Sequence, residues 1–243
     1  MLNVQSATFL ATFITYIIAY FITVPFGGAF RAWTAKKLGD TTGEDLGYLT
    51  LNPLAHFDTM GFVMLFLSYV FFNNFFAWGA FVPVNPFNFT GEYKRLKLFL
   101  ASIADVFGYL FSALACTIFL ISFFGSSIGI IIYKSIMQHG NVSHTLLLKL
   151  YPNHSHLLVI TGMILMATTV LSVILALVYL IRNIFMLVPL FRMQQHSYEG
   201  EMSFLHSFVL PSLAIIFLLP LMLTLTAQTL IIIAISITRS IGL

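Results

Sequence analysis

The stretch HLLVITGMILMATTVLSVILALVYLIRNIFMLVPL, His156–Leu190, decides the fold class. Between Leu157 and Ile181 it carries no charged side chain, and about 20 apolar helical residues suffice to cross the hydrocarbon core of a bilayer. Comparable runs extend from about Ala7 to Phe30, Met60 to Trp78, Leu96 to Tyr133 and Phe208 to Ile237. Lipid offers no partner to backbone N–H and C=O groups, so such runs pair their own backbones as helices. The expectation is an all-α integral membrane protein, a polytopic bundle of about five to six spans, with residues 1–243 forming a single transmembrane domain.

Composition points the same way. The chain is 59% hydrophobic and only 8% charged, against roughly a quarter charged in a soluble domain. Eleven basic and eight acidic side chains cannot cover the surface of a soluble protein this long. The pI of about 9.0 reflects basic residues scattered between apolar runs, with none of the continuous patch that nucleic acid requires. The lipid bilayer is the partner that this composition implies, with short basic loops beside its headgroups. The lone Cys116 excludes an intrachain disulfide. No Lys or Arg lies between Met1 and Thr8, ahead of the first run, which therefore reads as a retained span and not a cleaved signal.

With five spans, Lys94, Arg95, Lys97 and Arg192 fall on the N-terminal side of the membrane, opposite Arg31, Lys36, Lys37, Lys134, Lys149 and Arg239. That split gives a slight lean toward an outside N-terminus. Gly125 and Gly129 interrupt the third run, which is either one tilted helix or a span followed by a short second helix. Their spacing also fits the small-xxx-small pattern of close helix contact.

Two connecting stretches are more specific. Lys37-Leu-Gly-Asp40 leads to Gly47-Tyr-Leu-Thr-Leu-Asn-Pro-Leu-Ala-His-Phe-Asp58, and the next run is followed by Phe81-Val-Pro-Val-Asn-Pro-Phe-Asn-Phe89. In order and spacing over Phe26 to Phe89, these resemble the compact bacterial branch of the site-2 proteases, intramembrane zinc metalloproteases. That family reads HExxH, then KLGD, then GRLTLNPLxHxDPxG, and after one span PVPVNPRNF. The resemblance implies a site-2-protease-like core in a bacterial or organellar inner membrane. It also implies a zinc site in which two histidines one helical turn apart and a later aspartate hold the metal, and a glutamate activates its water.

This chain departs from the pattern at every one of those positions. Counted back from Lys37, the HExxH slot falls on Gly27-Gly28-Ala29-Phe30-Arg31. Gly27 has nothing to ligate with, Gly28 cannot accept a proton, and Arg31 sets a permanent cation where a divalent one would sit. The family's NxxPxxxLDG motif has its counterpart at Met186 to Gln195, anchored on Pro189, which places Gln194 where the aspartate would be. Glu199-Gly200 resembles a displaced Asp-Gly but lies out of register. The resemblance therefore implies a pseudoprotease with no metal ligands, no zinc and no catalytic residues.

Several residues remain as candidates. Asn52, Pro53, His56 and Asp58 form the family's loop motif, and Pro83, Asn85 and Pro86 its PVNP loop. In the proteases that loop presents an extended substrate strand, and backbone pairing of this kind survives loss of catalysis. A turn that merely packs against the bundle fits equally well. A relocated metal site could draw on His56, Asp58, His196 and His206, whereas His139, His144, His154 and His156 show no one-turn pair. Asp105, in Ala101-Ser-Ile-Ala-Asp-Val106, is a carboxylate within a span and requires a partner or a protonated state. Arg31 is the expected partner, filling the vacated metal position, and Arg182 is its rival.

The functional expectation is a catalytically inactive, non-catalytic binding or structural subunit for another membrane protein, as an oligomer or complex subunit. The alternatives are an active metalloprotease with relocated ligands and an accessory subunit of a membrane transport or energy-transducing complex.

Overall fold

A computed structural model describes residues 4–72, 75–125, 128, 131–132, 156–196 and 210–241. Among them the chain is all-α. The elements are α1 (Val4–Leu38), α2 (Thr42–Asp45), α3 (Thr59–Phe72), α4 (Lys94–Phe124), α5 (His156–His196) and α6 (Leu210–Ile241). Three helices are long and apolar enough to cross a membrane: Phe9–Leu38, Lys94–Phe124 and Leu157–Leu187. This is an all-α membrane protein.

Apolarity on every face of α5 is explained by its place at the centre. Of its most hydrophobic window, 83% is buried by protein, against 39% for α1 and 44% for α4, whose remaining faces are left for lipid. Both α1 and α6 pack against α4 and α5. Small and hydroxylated residues let the central helices approach: Ala167, Ala176 and Ser172 are buried on α5, and Ser172 Oγ lies 3.2 Å from Ser112 Oγ of α4. Thr168 and Thr169 return their hydroxyls to the carbonyls of Ile164 and Leu165, so neither presents an unmet polar group to the core.

The second apolar run departs from expectation. Its helix, α3, stops at Phe72 after 14 residues, roughly 21 Å at 1.5 Å per residue and short of a full crossing. From Phe75 to Thr90 the chain is non-helical. Hydroxyls from α3 itself and from α1 and α5 make this possible at depth. Ser68 Oγ accepts from Phe76 N at 3.0 Å, Tyr20 Oη donates to Trp78 O at 2.9 Å, and Tyr179 Oη donates to Gly79 O at 2.8 Å. Ala80 N donates to His56 O at 2.8 Å. Irregular backbone is tolerated in a membrane protein where other parts of the chain satisfy it, as here.

Two boundaries also move. In the third run α4 ends at Phe124, where Gly125 turns the chain with φ +78°, and the described residues beyond it, Ile128, Ile131 and Ile132, are helical again, as a span followed by a second helix requires; Gly129 lies outside the described residues. The first helix does not stop before Arg31 but continues to Leu38, closing with Asp40 N on Ala35 O at 2.9 Å.

Because α3 does not cross, the basic residues regroup. Ala35 and Leu38 of α1 pack with Leu98 and Ala101 of α4 and Phe191 of α5. The end of α1, the start of α4 and the end of α5 are thus neighbours, and Lys36, Lys37, Lys94, Arg95 and Lys97 share one end of the bundle instead of dividing between two. Cysteines introduced at Lys37 and Lys94 in a Cys116→Ser background are expected to react with a membrane-impermeant maleimide from the same face, the cytoplasmic one by the basic-residue rule. Labelling from opposite faces would contradict this arrangement.

Candidate functional site

The site begins with a close approach of two helices. Gly27 and Gly28 on α1 face α4 and the His56 turn, and Gly108 on α4 faces back. A Cβ at Gly108 would lie 2.6 Å from Phe26 O and 3.0 Å from Gly27 Cα. A Cβ at Gly27 would collide with the Tyr109 ring, and one at Gly28 with the His56 imidazole. One turn further along α1 stands Arg31, and one turn earlier on α4 stands Asp105. The glycine contact therefore sets the distance across which that pair must close.

Arg31 is 2% exposed and Asp105 1%. Arg31 Nη1 donates to Asp105 Oδ2 at 2.8 Å, to Ser102 O at 2.8 Å and to Asn183 Oδ1 at 3.2 Å. The second carboxylate oxygen, Oδ1, accepts from Asn183 Nδ2 and from Val106 N, both at 2.8 Å. Asn183, on α5 and 1% exposed, thus bridges both charges with one amide. The pair joins three helices and is saturated on the acid side, the condition under which a buried ion pair offsets its desolvation.

Around it lies a second layer. The guanidinium carbons of Arg31 and Arg182 stand 4.4 Å and 3.9 Å from the centroid of the same Phe81 ring, within cation–π range. Arg182, expected as a rival partner for Asp105, stacks on Phe81 instead and makes no ion pair among the described residues. Tyr179 fixes the strand leading to Phe81 through Gly79 O, and its ring lies 5.3 Å from that of Tyr109. Asn183, Ser102, Phe81 and Tyr109 were not singled out by sequence. Asn183 carried a signal, since a buried amide in an apolar span needs partners as a charge does.

The two family-like stretches meet through Asp40. Its buried Oδ1 accepts from Asn88 Nδ2 at 2.7 Å and from Thr42 N at 3.1 Å, while Oδ2 accepts from Asn85 N at 2.8 Å. The Asn85 side chain is committed to its own turn, accepting from Phe87 N at 3.0 Å. Pro83 lies between the buried side chains of Val82 and Val84, and Pro86 follows in the turn.

The Asn52–Asp58 turn is built from its own polar atoms. Asn52 Oδ1 accepts from Leu54 N, and Pro53 O from His56 N. Asp58 caps α3 by accepting from Gly61 N at 2.6 Å. His56 is buried with Nε2 on Thr50 O at 2.8 Å, so Nε2 carries the hydrogen, and its Nδ1 has no partner among the described residues. Burial lowers its pKa, only partly offset by the Thr50 carbonyl.

Gln194 stands in the last turns of α5, with its side chain outside the described residues, as is that of His196. His206, Glu199 and Gly200 also lie outside them, as do His139, His144 and His154. Among the described residues no group of three His, Cys, Asp or Glu side chains could hold a metal ion. Gly27, Gly28 and Arg31 present two bare backbones and a guanidinium committed to Asp105, a donor set that does not fit zinc.

Removing one partner leaves a buried charge alone, so Arg31→Ala and Asp105→Ala are each expected to cost about 3–5 kcal/mol. The double variant Arg31→Met/Asp105→Leu is expected to cost less than either single change, as read from unfolding in detergent. Asn183→Ala is expected to cost about 1–3 kcal/mol. For His56, the fold favours the neutral ring while the unfolded chain takes a proton near the ordinary value of about 6.5. Stability is then whole above that pH and falls as the pH drops below it. Relative to wild type, His56→Gln is expected to blunt the fall in thermal midpoint between about pH 7 and pH 5.

No family model matches this chain, and no solved structure does. Over 74 residues the chain is 36% identical to a protein of Bacillus subtilis (strain 168) described as "Putative zinc metalloprotease YwhC". The match covers 30% of this chain and 30% of that relative, a similarity confined to less than a third of either protein.

Proposed function

We propose that this protein is a non-catalytic, site-2-protease-like membrane protein that binds another membrane protein without cutting it. One observation carries the reading: the places where the first histidine and the glutamate of HExxH would project are filled by the Tyr109 ring and the His56 imidazole. The place of the second histidine holds Arg31, locked to Asp105. A metal-bound water has no ligands to hold it there and no base to activate it. The scaffold around the lost chemistry is nonetheless fully built, with the Pro83–Pro86 loop clamped by Asp40. A retained loop beside a disabled centre supports a binding role better than a vestigial one.

The similarity to the Bacillus subtilis relative supports a site-2-protease-like relationship. Function resides in the site and not in the scaffold, and the site is what differs.

Metal analysis tests this reading. Protein purified without chelator is expected to hold far less than one zinc per chain, and added zinc is expected to leave its thermal midpoint unchanged. Stoichiometric zinc that a chelator removes, with a matching fall in stability, would favour the metalloprotease with relocated ligands.

A further inference from the structure

Charge does not balance around Phe81. Two guanidiniums, those of Arg31 and Arg182, lie over its ring. Among the described residues Asp105 is the carboxylate in ion-pair reach of this cluster, and of the two guanidiniums it pairs with that of Arg31. Among the described residues one positive charge, that of the half-buried Arg182, is thus without an ion-pair partner, and a charge so placed in an apolar bundle calls for a counter-ion.

The donors are unbalanced in the same place. All three of Arg31's described hydrogen bonds leave through Nη1, while its buried Nε–H has no partner. The hydroxyl of Ser102, the residue whose carbonyl Arg31 already holds, is likewise buried and unpartnered. Nε–H and the adjoining amino group form the planar fork from which a carboxylate accepts two hydrogen bonds at once. Beside the fork, residues 81–84 are non-helical, and no backbone hydrogen bond is made by them among the described residues.

We propose that Arg31, Arg182 and Ser102 form a binding site for a single carboxylate, carried by an extended segment of another membrane protein that pairs along residues 81–84. This rests on the partner-binding function proposed above. A singly charged, planar acceptor matches both the residual charge and the open fork. The backbone edge decides the carrier: a peptide pairs with it, whereas a lipid phosphodiester of equal charge has nothing to offer it.

The test uses the full chain in neutral phosphatidylcholine nanodiscs and a fluorescent apolar peptide with one central Glu, compared with the same peptide carrying Gln. The Glu peptide is expected to bind about 10-fold or more tightly, the scale of a hydrogen-bonded charge. Arg182→Gln and Arg31→Lys are each expected to shrink that ratio below about 3-fold without weakening the Gln peptide. Arg182 is only half-buried, so its variant keeps the test valid where Arg31 variants unfold, and monodisperse elution verifies the fold. Equal binding of the two peptides overturns the carboxylate site and leaves the partner-binding function standing. Binding of neither overturns both. A Glu advantage that survives both variants places the carboxylate elsewhere and overturns the proposal. So does Arg182-dependent retention of phosphatidylglycerol with no peptide preference, which would make this a headgroup site.

Discussion

A guanidinium enclosed by α1, α4 and α5 must be neutralised where it stands, because its short path to the headgroups is closed by packing. That requirement organises the interior. Asp105 supplies the charge, and Asn183 holds both partners in register from the central helix. The glycines one turn away let α1 and α4 come near enough for the pair to close. Phe81 extends the arrangement outward, since its ring receives the faces of two cations and ties the irregular strand to the bundle. Burying an arginine at this depth thus draws on residues of three helices, α1, α4 and α5.

Much of this was legible in the amino-acid order, and the failures have identifiable causes. Long apolar runs specified α1, α4, α5 and α6, since lipid leaves a spanning backbone few alternatives. The same rule overreached between Met60 and Trp78. Hydropathy cannot register that Tyr20 and Tyr179, far away in the chain, satisfy the carbonyls of Trp78 and Gly79 and release that stretch from helicity. Misplacing that one span also misplaced the basic residues relative to the membrane.

The Arg31–Asp105 contact was accessible because charges within apolar runs are few and must be met. The contribution of Asn183 was not. Anchoring on Pro189 drew attention to Gln194, about three turns beyond the amide that touches both charges. Nor does sequence indicate that Tyr109 and His56 fill the space beside Gly27 and Gly28. Only the collision a side chain would suffer at Gly27 or Gly28 reveals it.

Asp40 separates architecture from chemistry. One carboxylate fastens the turn after α1 to Asn85 and Asn88, joining the two stretches that most resemble the proteases. Its bonds involve no metal ligand and no catalytic group. Those stretches therefore constitute a mechanical clasp whose bonds stand apart from the Arg31–Asp105 pair. A search keyed to them gathers scaffolds, and chemistry must be judged at Arg31, about two helical turns before the Lys37–Asp40 words that make such a chain recognisable.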